Sequence, residues 1–201
     1  MEPLEVEVKF FLSDPAAVRE RLLSLGAVSK GRFFETNIRY EDETGSFLRK
    51  ESLLRLRSDQ KTTLTFKSKT AVPDREFKIL RELEVEISDF QTMQAILAAI
   101  GLHQEQIYEK WRETITQDNL VFCLDTMPFG DFLEIEGDGD AIISSASQLG
   151  LVWEQRILAN YLAIFERIKT RCNLPFSDIT FPNFRSCRES FAPIIQSFQA
   201  G

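Results

Sequence analysis

In strand-like segments of this chain, charged and apolar residues alternate, and the charges within a segment are mostly of one sign. Side chains of an extended chain point to opposite faces with a period of two. Glu5, Glu7 and Lys9 therefore share one face while Leu4, Val6, Val8 and Phe10 share the other. Arg55 and Arg57 alternate with Leu54 and Leu56; Thr63, Thr65 and Lys67 with Leu64 and Phe66; Glu82, Glu84 and Glu86 with Leu83, Val85 and Ile87. Lys110 and Arg112 flank Trp111, and Glu134 and Glu136 interleave with Leu133 and Ile135. A half-exposed antiparallel sheet with its polar face in water explains any one such strand. It explains the whole set less well, because like charges two positions apart repel unless opposite charge lies across from them. If the sheet closes into a barrel, acidic strands face basic ones across a wet lumen, and the apolar faces turn outward to be covered by helices.

Composition narrows the partners. Of 201 residues, 43% are hydrophobic and 27% charged, with 24 Lys and Arg against 31 Asp and Glu and a net charge of −7. Such a chain is an ordinary globular protein, and its acidity argues against a broad nucleic-acid surface, which needs clustered cations. No run approaches the roughly 18 apolar residues of a membrane span. Met1-Glu2-Pro3-Leu4-Glu5 has neither a basic nor an apolar leader region, so a cytoplasmic location is expected, with no membrane partner. Cys123, Cys172 and Cys187 lack the paired spacing of a zinc site or disulfide framework. The lone His103 makes a Ser-His-Asp triad a poor reading.

Two helices are marked by their ends. Ser13-Asp14-Pro15 precedes Val18, Leu22, Leu23 and Leu25 and is closed by Gly26; Ser88-Asp89 precedes Met93, Ile96, Leu97 and Ile100 and is closed by Gly101. The distance from capping serine to closing glycine is the same in both, and each helix follows an alternating strand, which suggests two related halves. Further strands are expected at Asn37 to Tyr40, Leu53 to Arg57, Thr62 to Lys67, Tyr108 to Ile115, Leu120 to Asp125 and Phe132 to Glu136. Helices are expected over Ala141 to Leu149 and Gln155 to Cys172. The main domain is therefore placed at residues 1–172, followed by an arm, 173–201, whose Phe and Ile residues suggest that it wraps the domain.

A lumen with guanidinium and ammonium groups beside carboxylates suits one kind of guest. Arg and Lys bind phosphate oxygens by charge-assisted hydrogen bonds, and clustered Glu and Asp are the hard oxygen ligands of Mg²⁺ or Mn²⁺. A polyphosphate chelated to a divalent cation satisfies both sets. There is no glycine-rich phosphate loop, so side chains would hold the phosphates.

These residues carry a resemblance. Glu5-Val6-Glu7-Val8-Lys9 resembles the opening ExExK signature of the CYTH family, also called triphosphate tunnel metalloenzymes. Arg55-Leu56-Arg57, Thr65-Phe66-Lys67, Glu82-Leu83-Glu84-Val85-Glu86, Lys110-Trp111-Arg112, and Asp125 with Gly130 to Glu136 resemble its later motifs in the same order. The resemblance extends over about residues 1 to 165. It implies an α+β fold: an eight-stranded antiparallel β-barrel tunnel with helices packed on the outside, binding small-molecule triphosphates with Mg²⁺ or Mn²⁺. Details such as Asn160-Tyr161-Leu162 are similar to the cyclase-like branch.

Residue roles follow from charge and resemblance together. The metal set is Glu5, Glu7, Asp125, Glu134 and Glu136, and the triphosphate-binding set is Lys9, Arg39, Arg55, Arg57, Lys67, Lys110 and Arg112. Lys9, Arg57 and Glu84 are the expected catalytic residues. Glu82, Glu84 and Glu86 either orient cations, place a second metal or water, or are ion-pair partners without a chemical role. Tyr161 reads as core from its helical face and as substrate contact from the resemblance. Three activities remain open: hydrolysis of a triphosphate, cyclisation of ATP to cyclic AMP and pyrophosphate, and polyphosphate or nucleotide binding without turnover. Hydrolysis leads because it demands only the elements visible in the sequence.

Overall fold

The strands expected from charge alternation pair edge to edge until no edge is left. In the computed structural model, which describes residues 4–70, 74–187 and 189–200, β1 (Leu4–Leu12), β2 (Val28–Asp42), β3 (Leu53–Ser58), β4 (Thr62–Lys69), β5 (Lys78–Ile87), β6 (Leu102–Gln117), β7 (Leu120–Met127) and β8 (Gly130–Glu136) are all antiparallel to their neighbours. They form a closed barrel in the order β1-β5-β4-β3-β2-β6-β7-β8. Met1, Glu2 and Pro3, which entered the leader argument, lie outside the described residues.

Helices α1 (Pro15–Ser24), α2 (Ser46–Arg49), α3 (Phe90–Ala99), α4 (Gly139–Gln148), α5 (Tyr161–Cys172), α6 (Phe181–Phe184) and α7 (Ala192–Gln196) decorate the barrel. Asp14 caps α1 by accepting from Ala17 N at 3.0 Å, and Asp89 caps α3 by accepting from Thr92 N at 2.6 Å. The aspartates, and not the serines before them, therefore make the cap bonds. Gly26 (φ +91°) and Gly101 (φ +89°) end the two helices in the left-handed region that glycine enters without a Cβ clash. Apart from the short α2 between β2 and β3, the succession β1-α1-β2-β3-β4 is repeated as β5-α3-β6-β7-β8. Exchanging each strand for its counterpart leaves the circular order unchanged.

The outward faces bury the core. Val8, Phe10, Ile115, Phe122, Leu133 and Ile135 pack with Leu22 of α1 and Ile142 of α4; Ile38, Tyr40 and Leu56 pack with Leu97 of α3. Helices do not cover the whole barrel, however: Leu83 and Val85, on the outer face of β5, are 44% and 54% exposed. At one end of the barrel the inward-facing positions turn apolar. Tyr108, Met127 and Phe132 meet Ile164, Phe165 and Ile168 of α5 in a cluster that also takes in Phe184, Phe191 and Ile195 from beyond residue 173. Ile179 lies in register beside β6, with Ile179 N donating to Ile107 O at 2.8 Å and Glu109 N donating to Ile179 O at 2.9 Å.

Several expected elements have different bounds; β6 starts at Leu102, six residues before Tyr108, and β5 at Lys78. β2 starts nine residues before Asn37, at Val28, because Lys30 to Phe34 breaks strict alternation and the strand pairs with β6 through register shifts at Ser29/Arg32 and Arg39/Tyr40. The helix expected from Gln155 begins only at Tyr161, after a 3₁₀ turn at Trp153–Gln155. Between them Ile157 is held extended, exchanging backbone hydrogen bonds with Lys9 at 2.7 and 3.2 Å. Asn160 then caps α5 by accepting from Ala163 N at 2.8 Å. Among the described residues no helix is long and apolar enough to cross a membrane.

Candidate active site

Ladder register decides which charges meet. Glu7 is opposite Glu136 and Lys9 opposite Glu134 across β1 and β8. Lys67 faces Glu82 and Thr65 faces Glu84 across β4 and β5. Arg112 faces Asp125 across β6 and β7, and Glu35 faces Lys110 across β2 and β6. All these positions share the inward parity, so the barrel encloses a cavity of about 1010 Å³. Of the expected site residues, Glu5, Glu7, Lys9, Arg39, Arg55, Arg57, Lys67, Glu84, Lys110, Arg112, Glu134 and Glu136 line it; Asp125 does not.

The charges sort into three linked groups. In the first, Lys67 pairs with Glu5 and, at 3.0 Å, with Glu82, while Lys78 pairs with Glu7. In the second, Lys9 pairs with Glu134 at 2.8 Å, Arg112 bridges Glu134 and Asp125, and Lys110 reaches Asp125 at 3.0 Å and Glu35 at 3.5 Å. In the third, Glu84 takes Arg57 at 3.3 Å, Arg55 at 3.6 Å and the Thr65 hydroxyl at 2.7 Å. Arg39 is at the rim, 3.5 Å from Glu105. Glu86 instead pairs with exposed Lys61 at 2.7 Å.

Electrostatics divides the carboxylates. Burial, and then the Glu7 charge, push Glu5 up to about 7; the same two causes raise Glu136. Against burial, Lys78 holds Glu7 below the usual range. Against burial, Lys9 and Arg112 hold Glu134 well below it. Glu35 is pulled down to about 2 despite its burial, chiefly by Lys110 and Arg112. Burial pushes the Cys123 thiol on the cavity wall up to about 12. Burial and the nearby Glu7 charge both disfavour the ionised forms of Glu5 and Glu136, and a cation placed among these carboxylates would relieve both.

The donor set fits a hard divalent ion. Glu5, Glu7, Glu134 and Glu136 supply only carboxylate oxygen on adjacent strands, the ligand type of Mg²⁺ and Mn²⁺. Among the described residues, no three carboxylates, thiols or imidazoles are already gathered about one point. The ion pairs give the reason, since Lys78 and Lys9 draw Glu7 and Glu134 to themselves. Asp125, expected among the metal ligands, is held by cations and a phenol. Its side chain is fully buried, and its oxygens accept from Arg112 Nε at 2.6 Å, Lys110 Nζ at 3.0 Å, Tyr161 Oη at 2.9 Å and Arg112 Nη2.

The sequence reading omitted Glu35, Lys78 and Tyr108. Glu35 lies in the part of β2 where alternation fails, and Lys78 precedes the segment read as β5. Tyr108, whose hydroxyl is 3.5 Å from Arg55 Nη1, sits at inward parity two residues before Lys110 and was legible from that spacing.

An antiparallel barrel with helices outside and an ionic lumen defines a tunnel protein, and the comparisons name its kind. The family model described as the CYTH domain matches residues 3–145, so the chain belongs to the CYTH family. A Vibrio parahaemolyticus protein provisionally named an adenylate cyclase superposes with a TM-score of 0.73 at 19% identity, covering 83% of this chain and 99% of that one. The PH1012 protein of Pyrococcus horikoshii gives 0.66 at 25% identity, covering 78% and 96%. A Hippeastrum protein described as having a dominant triphosphatase activity gives 0.61 at 17% identity, covering 83% and 95%. No curated protein sequence matches the chain.

Proposed function

We propose that this protein is a divalent-metal-dependent hydrolase of a triphosphate-containing substrate, which it takes into the barrel lumen. The observation that carries the reading is the convergence of Lys9, Arg55, Arg57, Lys67, Lys110 and Arg112 on one cavity that also holds Glu5, Glu7, Glu134 and Glu136. Pure anion capture would not need these carboxylates beside the cations. The activity described for the Hippeastrum protein agrees with it.

Glu5, Glu7, Glu134 and Glu136 would hold Mg²⁺ or Mn²⁺, which when bound neutralises phosphate charge and acidifies water. The remaining steps belong to the chain's own side chains. Arg55, Arg57, Lys67, Lys110 and Arg112 bind the nonbridging oxygens, with Arg39 at the rim. Lys9 and Arg57 stabilise the charge that develops as a water oxygen attacks the terminal phosphorus, the bridging P–O bond breaks and diphosphate leaves. Glu84, already fixed by Thr65 and Arg57, orients that water.

One observation favours cyclisation of ATP as a second reading. The cavity is also lined by Leu158, Ala159, Leu162 and Ala163, with Glu166 on the same stretch of chain, a partly apolar surface for which inorganic triphosphate has no matching group. Separating the products after incubation with tripolyphosphate, thiamine triphosphate and ATP under Mg²⁺ or Mn²⁺ tests both. Orthophosphate is expected; cyclic AMP with pyrophosphate replaces hydrolysis by cyclisation, and binding without turnover leaves a polyphosphate-binding module.

A further inference from the structure

We propose that Tyr161 is a positioning residue that acts through Asp125 to hold Lys110 and Arg112 in the orientation in which they receive phosphate; the inference rests on the triphosphate reading of the lumen. Lys110 and Arg112 are two cations two residues apart on β6, and each disfavours the other's charge. Asp125 resolves this by accepting from both: Arg112 Nε donates to Oδ1 at 2.6 Å, and Lys110 Nζ donates to Oδ2 at 3.0 Å. Arg112 Nη2 donates to Oδ2 as well, so the plane of the carboxylate sets the plane of the guanidinium and the place of the ammonium together. The Tyr161 hydroxyl, donating to Oδ2 at 2.9 Å from α5, opposes tilting of that plane.

A neutral donor suits this place. A third cation on Asp125 would compete with Lys110 and Arg112 for it, whereas a phenol fixes the carboxylate and leaves its charge for them. Burial and the Asp125 charge raise the Tyr161 phenol well above its ordinary range, so the hydroxyl keeps its proton. The ring contributes separately. Its face is 4.3 Å from Lys9 Nζ and 5.6 Å from Lys110 Nζ, so a single side chain at the start of α5 steadies two lumen lysines. The same geometry reassigns Asp125, which Arg112 and Lys110 engage from β6 and Tyr161 from α5, from metal ligand to anchor of the β6 cations.

The test compares the wild type with Tyr161→Phe, Asp125→Asn and the double variant. Affinity for inorganic tripolyphosphate is read by calorimetry with chelator present, and the Arg112 Nε–H by ¹⁵N NMR, assigned with Arg112→Lys. Tyr161→Phe keeps the ring and should melt within a few degrees of wild type while binding about tenfold more weakly. Asp125→Asn should lose more, and the double variant no more than Asp125→Asn alone. The Arg112 Nε–H should exchange slowly in the wild type and faster in Tyr161→Phe. Wild-type affinity in Tyr161→Phe overturns the proposal, as do losses that add in full. A fast-exchanging Arg112 signal in the wild type overturns it without any variant. If the wild type binds tripolyphosphate neither with chelator nor with Mg²⁺ but the Arg112 signal still depends on Tyr161, the triphosphate reading falls and the positioning link is upheld.

Discussion

Lys9 shows how much one position in the barrel carries. It is 2% exposed, its ammonium is 2.8 Å from Glu134, and its backbone pairs with Ile157. A lysine so buried is tolerated because its charge is met on one side by a carboxylate and on the other by an aromatic face. The neighbouring carboxylates give the sharpest test of the metal assignment. Glu134→Gln and Glu136→Gln are each expected to abolish metal-dependent turnover with the fold retained, checked by turnover assays beside circular dichroism. Unchanged turnover in both rejects the assignment. Arg57→Ala should lower kcat/KM by about 10- to 100-fold, losing about 1.4–2.7 kcal/mol of transition-state stabilisation. Steady-state kinetics on whichever triphosphate is turned over gives the figure.

Glu35 yields a prediction about stability. Its carboxyl is held at about 2 against an ordinary value of 4.5, so the folded protein binds this proton less readily than the unfolded chain. The stabilisation is present above pH 4.5 and is lost as the pH falls toward 2. Glu35→Gln leaves Lys110 and Arg112 short of one counter-charge and should destabilise the fold by about 3 kcal/mol at pH 7. That deficit should narrow between pH 4.5 and pH 2, measured by urea unfolding across the range. A deficit that does not change with pH rejects the ion-pair account. Glu35 also shows why part of the site was not legible. Glu5, Arg55 and Glu134 stand in strands of clean alternation, so parity alone placed them inward, while Glu35 follows Phe33 and Phe34, a run that reads as no single face.

Among the elements, α5 taught most. Ile157, Leu158, Tyr161, Leu162, Phe165 and Ile168 recur at helical spacing, yet the first two lie outside the helix. Periodicity cannot tell a helical turn from an extended segment whose apolar side chains happen to fall at the same intervals. The signal that could have decided was Asn160, a capping residue in mid-pattern. Asn160→Ala removes that bond and should cost about 1 kcal/mol of stability, measured by thermal melting. Since Tyr161 follows directly, it should also weaken tripolyphosphate binding. The capping aspartates of α1 and α3 were legible to within one residue, because local hydrogen bonding fixes a helix start wherever the rest of the chain goes.

For the molecule as a whole, the barrel was legible because single-sign strands need opposite charge beside or across from them, and a closed sheet supplies it to every strand. The uncovered outer face of β5 was not, because nothing in its alternation says whether a helix packs there. A guest that bridges the acidic and basic strands binds the folded state alone, so tripolyphosphate at about 100 times its Kd should stabilise the protein by about 2.7 kcal/mol. Thermal melts with and without the ligand check this, and high salt should shrink the shift. The repeated order of the strands has a further consequence. Two of the four counterpart pairs carry opposite signs, Arg55 and Arg57 on β3 against Asp125 on β7 and Lys67 on β4 against Glu134 and Glu136 on β8, whereas β1 and β5 are both mainly acidic. Strand register thus sets an uneven pattern of charge around the lumen that the net charge of the chain does not describe. A guest with its own uneven distribution of charge is favoured there in one orientation over its reverse.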